Sequence, residues 1–223
     1  MKIYQNLTII GTSHIAKESI KEVKEVISRE IPEIVALELD RNRLFSLLSK
    51  EKGTIKLKDI RKIGVKGYFF AKIGHWVEHK VGSMVGTKPG DEMITAFETA
   101  KKFNIKIALI DQKIEITLKK LSKEITWKEK LTFVYELIKS PFQKNKISFN
   151  LNTVPDEKII KELLEQVKEK YPNVYKVLVE ERNSYMAKRL NRLMQDYRSV
   201  IAIVGAGHVS DIIEEIKCLQ KKS

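Results

Sequence analysis

The chain has 223 residues, 43% of them hydrophobic and 32% charged, which is enough for one α/β domain with a substantial core and excludes a disordered chain. No apolar run approaches the roughly 18 residues of a membrane span, and the start lacks the apolar region of a signal peptide. The net charge of +13 comes from 42 Lys+Arg against 29 Asp+Glu, mixed along helical segments with no Arg–aromatic alternation, so no nucleic-acid partner is expected. Solvated helix faces are the first reading of that charge, and attraction to a membrane surface the second. Cys218 is the single cysteine, which excludes an intrachain disulfide and a Cys-based zinc site.

In chain order, Leu7-Thr8-Ile9-Ile10 is a buried strand that runs into Gly11-Thr12-Ser13-His14. A helix follows from Ala16 to Arg29, with Ile20, Val23 and Ile27 as its apolar stripe, and Pro32 ends it. The second strand, Ile34 to Asp40, carries Glu38 between Leu37 and Leu39 and therefore on the opposite side from them. A buried carboxylate there must be paired, hydrogen-bonded or metal-bound. Asp40 suits the N-cap of a helix opened by Arg41-Asn42-Arg43.

Lys50 to Lys66 reads as a basic surface connection, and Tyr68 to His79 as an aromatic helix. A turn at Pro89-Gly90 starts a helix that runs to about Lys102, and Ile105 to Ile110 is a third strand ending at Asp111. Two short helices are expected between Ile114 and Lys139, then helices over Glu157 to Lys170 and Val174 to Asp196. The last strand, Val200 to Val204, repeats the first device: it runs into Gly205-Ala206-Gly207-His208 and a helix over Val209 to Leu219.

Two Gly-x-x-His turns on neighbouring parallel strands would bring His14 and His208 to one rim, since ligands sit outside the carboxyl ends of such strands. A metal or catalytic site carried by the pair stands against the alternative that each histidine only orders its own turn. His75-Trp76-Val77-Glu78-His79 also matches the H-x-x-E-H pattern, but no third ligand follows at a characteristic spacing, so a plain aromatic helix is preferred. Gly205-Ala206-Gly207-His208-Val209-Ser210 resembles a dinucleotide turn, yet the ribose-binding acid expected about 20 residues on has no strand to carry it.

Taken together, the stretches Gly11 to Ser19, Val35 to Arg43, Pro89 to Met93, Ile110-Asp111 with Ile116-Thr117-Leu118, Glu181 to Ala187 and Val204 to Val209 resemble the TraB/PrgY family. Its archaeal and bacterial members are the nearest in pattern. The resemblance covers a single domain over residues 1–223, in which the order of elements gives an α/β core at roughly 1–40 and 88–223 and a helical insert at roughly 50–87. It implies a mostly parallel central sheet flanked by helices, similar to the TIKI proteases and, more distantly, to erythromycin esterases and ChaN-like proteins. It also implies a metal-dependent, peptidase-like hydrolase. His14, Glu38 and His208 would be the metal set, and the ion Mn²⁺ ahead of Co²⁺ or Zn²⁺.

Glu38 would also be catalytic. Glu181 would act as base or ligand, while Arg43 or Arg182 would hold a substrate carboxylate or stabilise an oxyanion. The substrate would be a peptide or small acyl compound, with a role like the shutdown or sequestration of signalling peptides in PrgY-type relatives. Many prokaryotic members continue into C-terminal membrane helices. The expected location is therefore cytoplasmic, or the soluble domain of a membrane-anchored protein, and a homo-oligomer is a further expectation. Two departures from the family pattern, Gln112 after Asp111 and Asn183 after Arg182, each remove a charge from stretches expected near the site. The rival expectation, from a different class, is a non-catalytic module that binds a peptide or a membrane partner.

Overall fold

The structure, a computed structural model, describes residues 1–12, 17–49, 90–139 and 157–221. His14, the 50–87 insert and its H-x-x-E-H segment lie outside the described residues.

Five strands form one sheet in the order β1-β2-β5-β3-β4. They are β1 (Lys2–Tyr4), β2 (Leu7–Thr12), β3 (Ile34–Leu37), β4 (Lys106–Leu109) and β5 (Val200–Gly205). β1 pairs antiparallel with β2, and the other pairings are parallel. β1 is an addition to the sequence reading. At three residues, with Ile3 exposed, it has neither the length nor the apolar alternation that marks a strand. The strand expected from Ile34 to Asp40 is assigned only to Leu37, but its ladder continues: Glu38 N donates to Ile203 O at 3.0 Å, and Asp111 N to Leu39 O at 3.3 Å.

The side-chain period of two sorts the strand residues onto two faces. Ile10, Val35, Leu37, Leu39, Ile201 and Ile203 pack with α1 (Lys17–Glu30) and α3 (Asp91–Lys102), through Val23, Val26 and Ile27 on α1 and Met93, Ala96 and Ala100 on α3. Helix α2 (Arg41–Leu48) lies between them in sequence, and Leu44 and Leu47 pack against the same cluster. Leu7, Ile9, Ile34, Ala36, Val200, Ala202 and Val204 pack on the other face. Their partners are α8 (Glu181–Asp196) and α9 (Val209–Lys221), through Met186, Leu190, Ile212 and Ile216 among others. The result is a three-layer α/β/α arrangement, the architecture expected for parallel strands buried on both faces.

The remaining helices are α4 (Ile114–Glu124), α5 (Trp127–Lys139), α6 (Glu157–Lys170) and α7 (Pro172–Tyr175). The single helix expected over Val174 to Asp196 is interrupted, because Lys176–Glu180 forms a wide π-helical turn just before Arg182. Such inserted turns shift the phase of a helix and are frequent at functional sites. The apolar period on either side does not reveal one.

The two Gly-x-x-His turns start side by side. β2 and β5 are neighbours in parallel register, with Gly11 opposite Val204 and Thr12 opposite Gly205. Gly11 is required by close approach: a Cβ there would stand 2.7 Å from Val209 Cγ2 and 3.1 Å from the Ala206 Cα. The second neighbour is backbone in the turn that carries His208, so it cannot swing aside as a side-chain tip can. Gly11→Ala is therefore expected to cost about 1–3 kcal/mol through overpacking. A fall in the thermal unfolding midpoint checks it, and an unchanged midpoint would show that the turn yields freely.

Candidate functional site

The site lies where β3, β4 and β5 end. Glu38 follows β3 on the face opposite Leu37 and Leu39, with only 4% of its surface exposed. That face meets α8, so the carboxylate enters a layer of helix side chains and not the solvent. Its Oε2 accepts from Gly205 N at 2.6 Å, which satisfies a donor at the end of β5. Its Oε1 accepts from Arg182 Nη2. The buried carboxylate is thus both paired and hydrogen-bonded, as its burial demands.

Arg182 reaches across two strand ends. Besides Glu38, its Nε donates to Asp111 Oδ1 at 3.0 Å and its Nη2 to Asp111 Oδ2 at 2.8 Å, a forked pairing that only a planar guanidinium offers. Nη1 donates at 3.3 Å to the carbonyl of Leu178, within the π turn. Burial works against the charge of this group, but the Glu38 and Asp111 carboxylates outweigh it and hold the guanidinium above its usual range. Asp111 also accepts from its neighbour Gln112 N at 2.8 Å, and Arg43 Nη1 stands 3.6 Å from its Oδ2. The Arg43 side chain is 38% exposed, so one side of it faces water.

Asp40 caps α2 as expected, accepting from Asn42 N and Arg43 N, and its second oxygen accepts from Ile114 N at 3.0 Å. This carboxylate is a clamp between α2 and the start of α4. It sets the direction of the chain that carries Arg43.

His208 closes the cluster from the β5 side, on the short turn Ala206–His208. Its Nε2 lies 3.6 Å from Glu38 Oε1, and its Nδ1 lies 2.6 Å from Asn183 Oδ1. Asn183 is 2% exposed, and its Nδ2 donates to Asp211 Oδ2 at 3.1 Å. Asp211 belongs to the first turn of α9. Tyr175 stands close enough to feel it: burial first, and the Asp211 carboxylate next, push the phenol above its usual value.

Of the residues singled out in the sequence, Arg182 and Arg43 meet at Asp111, Arg182 also holds Glu38, and His208 stands against Glu38. Glu181 does not join them, since its carboxylate pairs with Lys120 on α4 instead. Neighbours on a helix point about 100° apart, so when Arg182 faces the strand ends Glu181 must face elsewhere. Gln112 donates to Thr117 Oγ1 at 2.8 Å, an internal bond within the chain leading into α4. Sequence reasoning did not single out Asp211. An acid in the first turn of a helix is so common that position alone could not mark it. Among the described residues no group of three His, Cys, Asp or Glu side chains is arranged to hold a metal ion. Nor, among them, is any helix long and apolar enough to cross a membrane.

An uncharacterized protein of Methanocaldococcus jannaschii is 40% identical over 220 residues, covering 96% of this chain and 54% of its own length. The human protein described as a TraB domain-containing protein is 22% identical over 233 residues, covering 92% of this chain and 61% of its own. The bovine protein of the same description is 23% identical, with 60% of its length covered. The chain thus spans between half and two thirds of the length of these relatives. The family model described as TraB/PrgY/gumN matches residues 4–222, and the chain belongs to that family.

Proposed function

We propose that the strand-end cluster is the centre of a metal-dependent hydrolase acting on a peptide or small acyl bond, with Mn²⁺ preferred to Co²⁺ or Zn²⁺. The observation that carries this reading is the 3.6 Å between Glu38 Oε1 and His208 Nε2. A carboxylate oxygen and an imidazole nitrogen bound to one ion at about 2.0–2.2 Å stand roughly 3–3.5 Å apart, so a small closure would make them co-ligands. A carboxylate oxygen has two lone pairs, which lets Oε1 serve Arg182 and an ion together. The donor chemistry of the pair therefore fits, and His14 would complete the set from the adjacent turn. When bound, the ion supplies a more acidic water and polarises a carbonyl.

The chain's own residues would do the rest. Arg182 keeps Glu38 and Asp111 fixed in place. Arg43, half on Asp111 and half in water, would take a substrate carboxylate. The test is a titration of the purified chain with Mn²⁺, Co²⁺ and Zn²⁺ by calorimetry, beside His14→Ala and His208→Ala, followed by peptide cleavage with the ion that binds. One ion per chain, with affinity lowered at least roughly tenfold by each change, is expected, since the pair would lose a direct ligand. Affinity unchanged by His208→Ala would overturn the assignment.

A second reading has its own observation. Arg182 and Arg43 already set two cations against the carboxylates of Glu38 and Asp111, so these four groups balance without an ion. On that reading the chain is a non-catalytic module for a peptide or a membrane partner, and Arg43 with the basic surface is its recognition element. Peptide binding without cleavage, unaffected by His14→Ala/His208→Ala, would favour it.

A further inference from the structure

Asp211 and Asn183 form a directed chain of hydrogen bonds that ends on His208, and its direction follows from chemistry. An ionised carboxylate only accepts, so the group Asn183 turns toward Asp211 must be its NH₂. The amide carbonyl then faces His208 Nδ1 at 2.6 Å, and a carbonyl also only accepts. Nδ1 must therefore carry the proton. In the neutral ring that leaves the lone pair on Nε2, the nitrogen that faces Glu38. With Asn183 2% exposed, water cannot compete for the amide or let it turn over.

We infer that Asp211 is a positioning residue: through Asn183 it selects the Nδ1–H form of His208 and so presents the Nε2 lone pair to the Glu38 rim. Asp211 reaches His208 through the Asn183 amide. Its part is to remove the choice that Asn183 would otherwise have, because an amide without the acid can face His208 with either end. The alternative, an acid that merely favours the start of α9, predicts no effect on the imidazole. This inference deepens the proposed hydrolase reading in saying what the lone pair is for, but the proton position itself is independent of that reading.

The experiment is a long-range ¹H–¹⁵N correlation of the histidine rings in the chelator-treated chain, at a pH where the imidazoles are neutral. The chain has four histidines, and the His208 signals are identified by their loss in His208→Gln. The wild type is expected to show a protonated Nδ1 and an unprotonated Nε2. Asp211→Ala should convert this to a mixture with substantial Nε2–H, while Glu214→Ala on the same helix leaves it unchanged.

The exchange Asn183→Asp/Asp211→Asn reverses acid and amide but keeps an acceptor facing Nδ1, so it should restore the wild-type form. An Nε2–H wild type, or a pattern indifferent to Asp211→Ala, would overturn the inference. In a second arm, Asp211→Ala is expected to weaken the binding of whichever ion the wild type takes by about 10–100-fold, the usual consequence of removing a residue that orients a ligand. A wild type that binds no ion would count against the hydrolase reading, while the proton position would still decide this one.

Discussion

Arg182→Met is expected to destabilise the chain by about 3–5 kcal/mol, the cost of breaking a buried ion pair by removing one partner. The guanidinium is 15% exposed and serves two carboxylates that are each 4% exposed. Without it Glu38 keeps Gly205 N, and Asp111 keeps Gln112 N and the more distant Arg43, but the pair loses the cation that lies between them. For a domain of this size the thermal midpoint should fall by about 6–20 °C. Arg182→Lys should recover only part, because one ammonium cannot reproduce the fork on Asp111 while also reaching Glu38. Adding Glu38→Gln to Arg182→Met should return part of the loss, since it removes one of the stranded charges. A loss below about 1 kcal/mol in Arg182→Met, measured by denaturant titration, would mean that the charges are solvated and not buried.

The second large effect lies away from the cluster but supports it. Glu129, 3% exposed, is hydrogen-bonded at both oxygens. One accepts from Asn173 N at 2.8 Å and more weakly from Val174 N, and the other accepts from Thr126 N and Thr126 Oγ1, each at 2.9 Å, and from Asn173 Nδ2. Thr126 and Glu129 are a capping box at the start of α5, a spacing that the sequence displays. The same carboxylate also holds the start of α7, which leads through the π turn to Arg182. Glu129→Gln is isosteric, yet whichever way its amide turns, an NH₂ meets donors. The expected loss is about 2–4 kcal/mol at neutral pH, from charged hydrogen bonds replaced by unsatisfied ones.

The pH dependence has a definite sign. Burial of Glu129 opposes its charge, but the hydrogen bonds from Thr126 and Asn173 outweigh it and hold the carboxyl below its ordinary 4.5. A group whose folded value is depressed contributes stability that is full above the unfolded value and is lost as pH falls through the folded one. The gap between wild type and Glu129→Gln should therefore be constant at neutral pH and shrink once the pH drops below about 4.5. Denaturant unfolding of both proteins across that range reads it directly, and a gap that widens in acid would contradict the sign.

The sequence by itself determined the layers of this protein. The apolar runs at Leu7, Ile34, Ile105 and Val200, and the helical stripes between them, each encode which face is buried, because a period of two or 3.6 is a local property. It determined the Asp40 cap and the carboxyl-end location of Glu38 and of the Gly-x-x-His turns for the same reason. Tertiary structure alone decided that β5 inserts between β2 and β3, which sets the starts of the two turns side by side. It alone decided that Arg182 and not Glu181 meets Glu38, a pairing across 144 residues. The π turn sets the phase of that helix, and no local pattern announces it.

It decided, too, that Asp211 serves His208 through Asn183, whereas in sequence it is only an acid in the first turn of a helix. Local periodicity fixes the side of an element on which a residue lies. Which residue waits on the other side depends on strand order and helix phase, and those are settled by packing the whole chain at once.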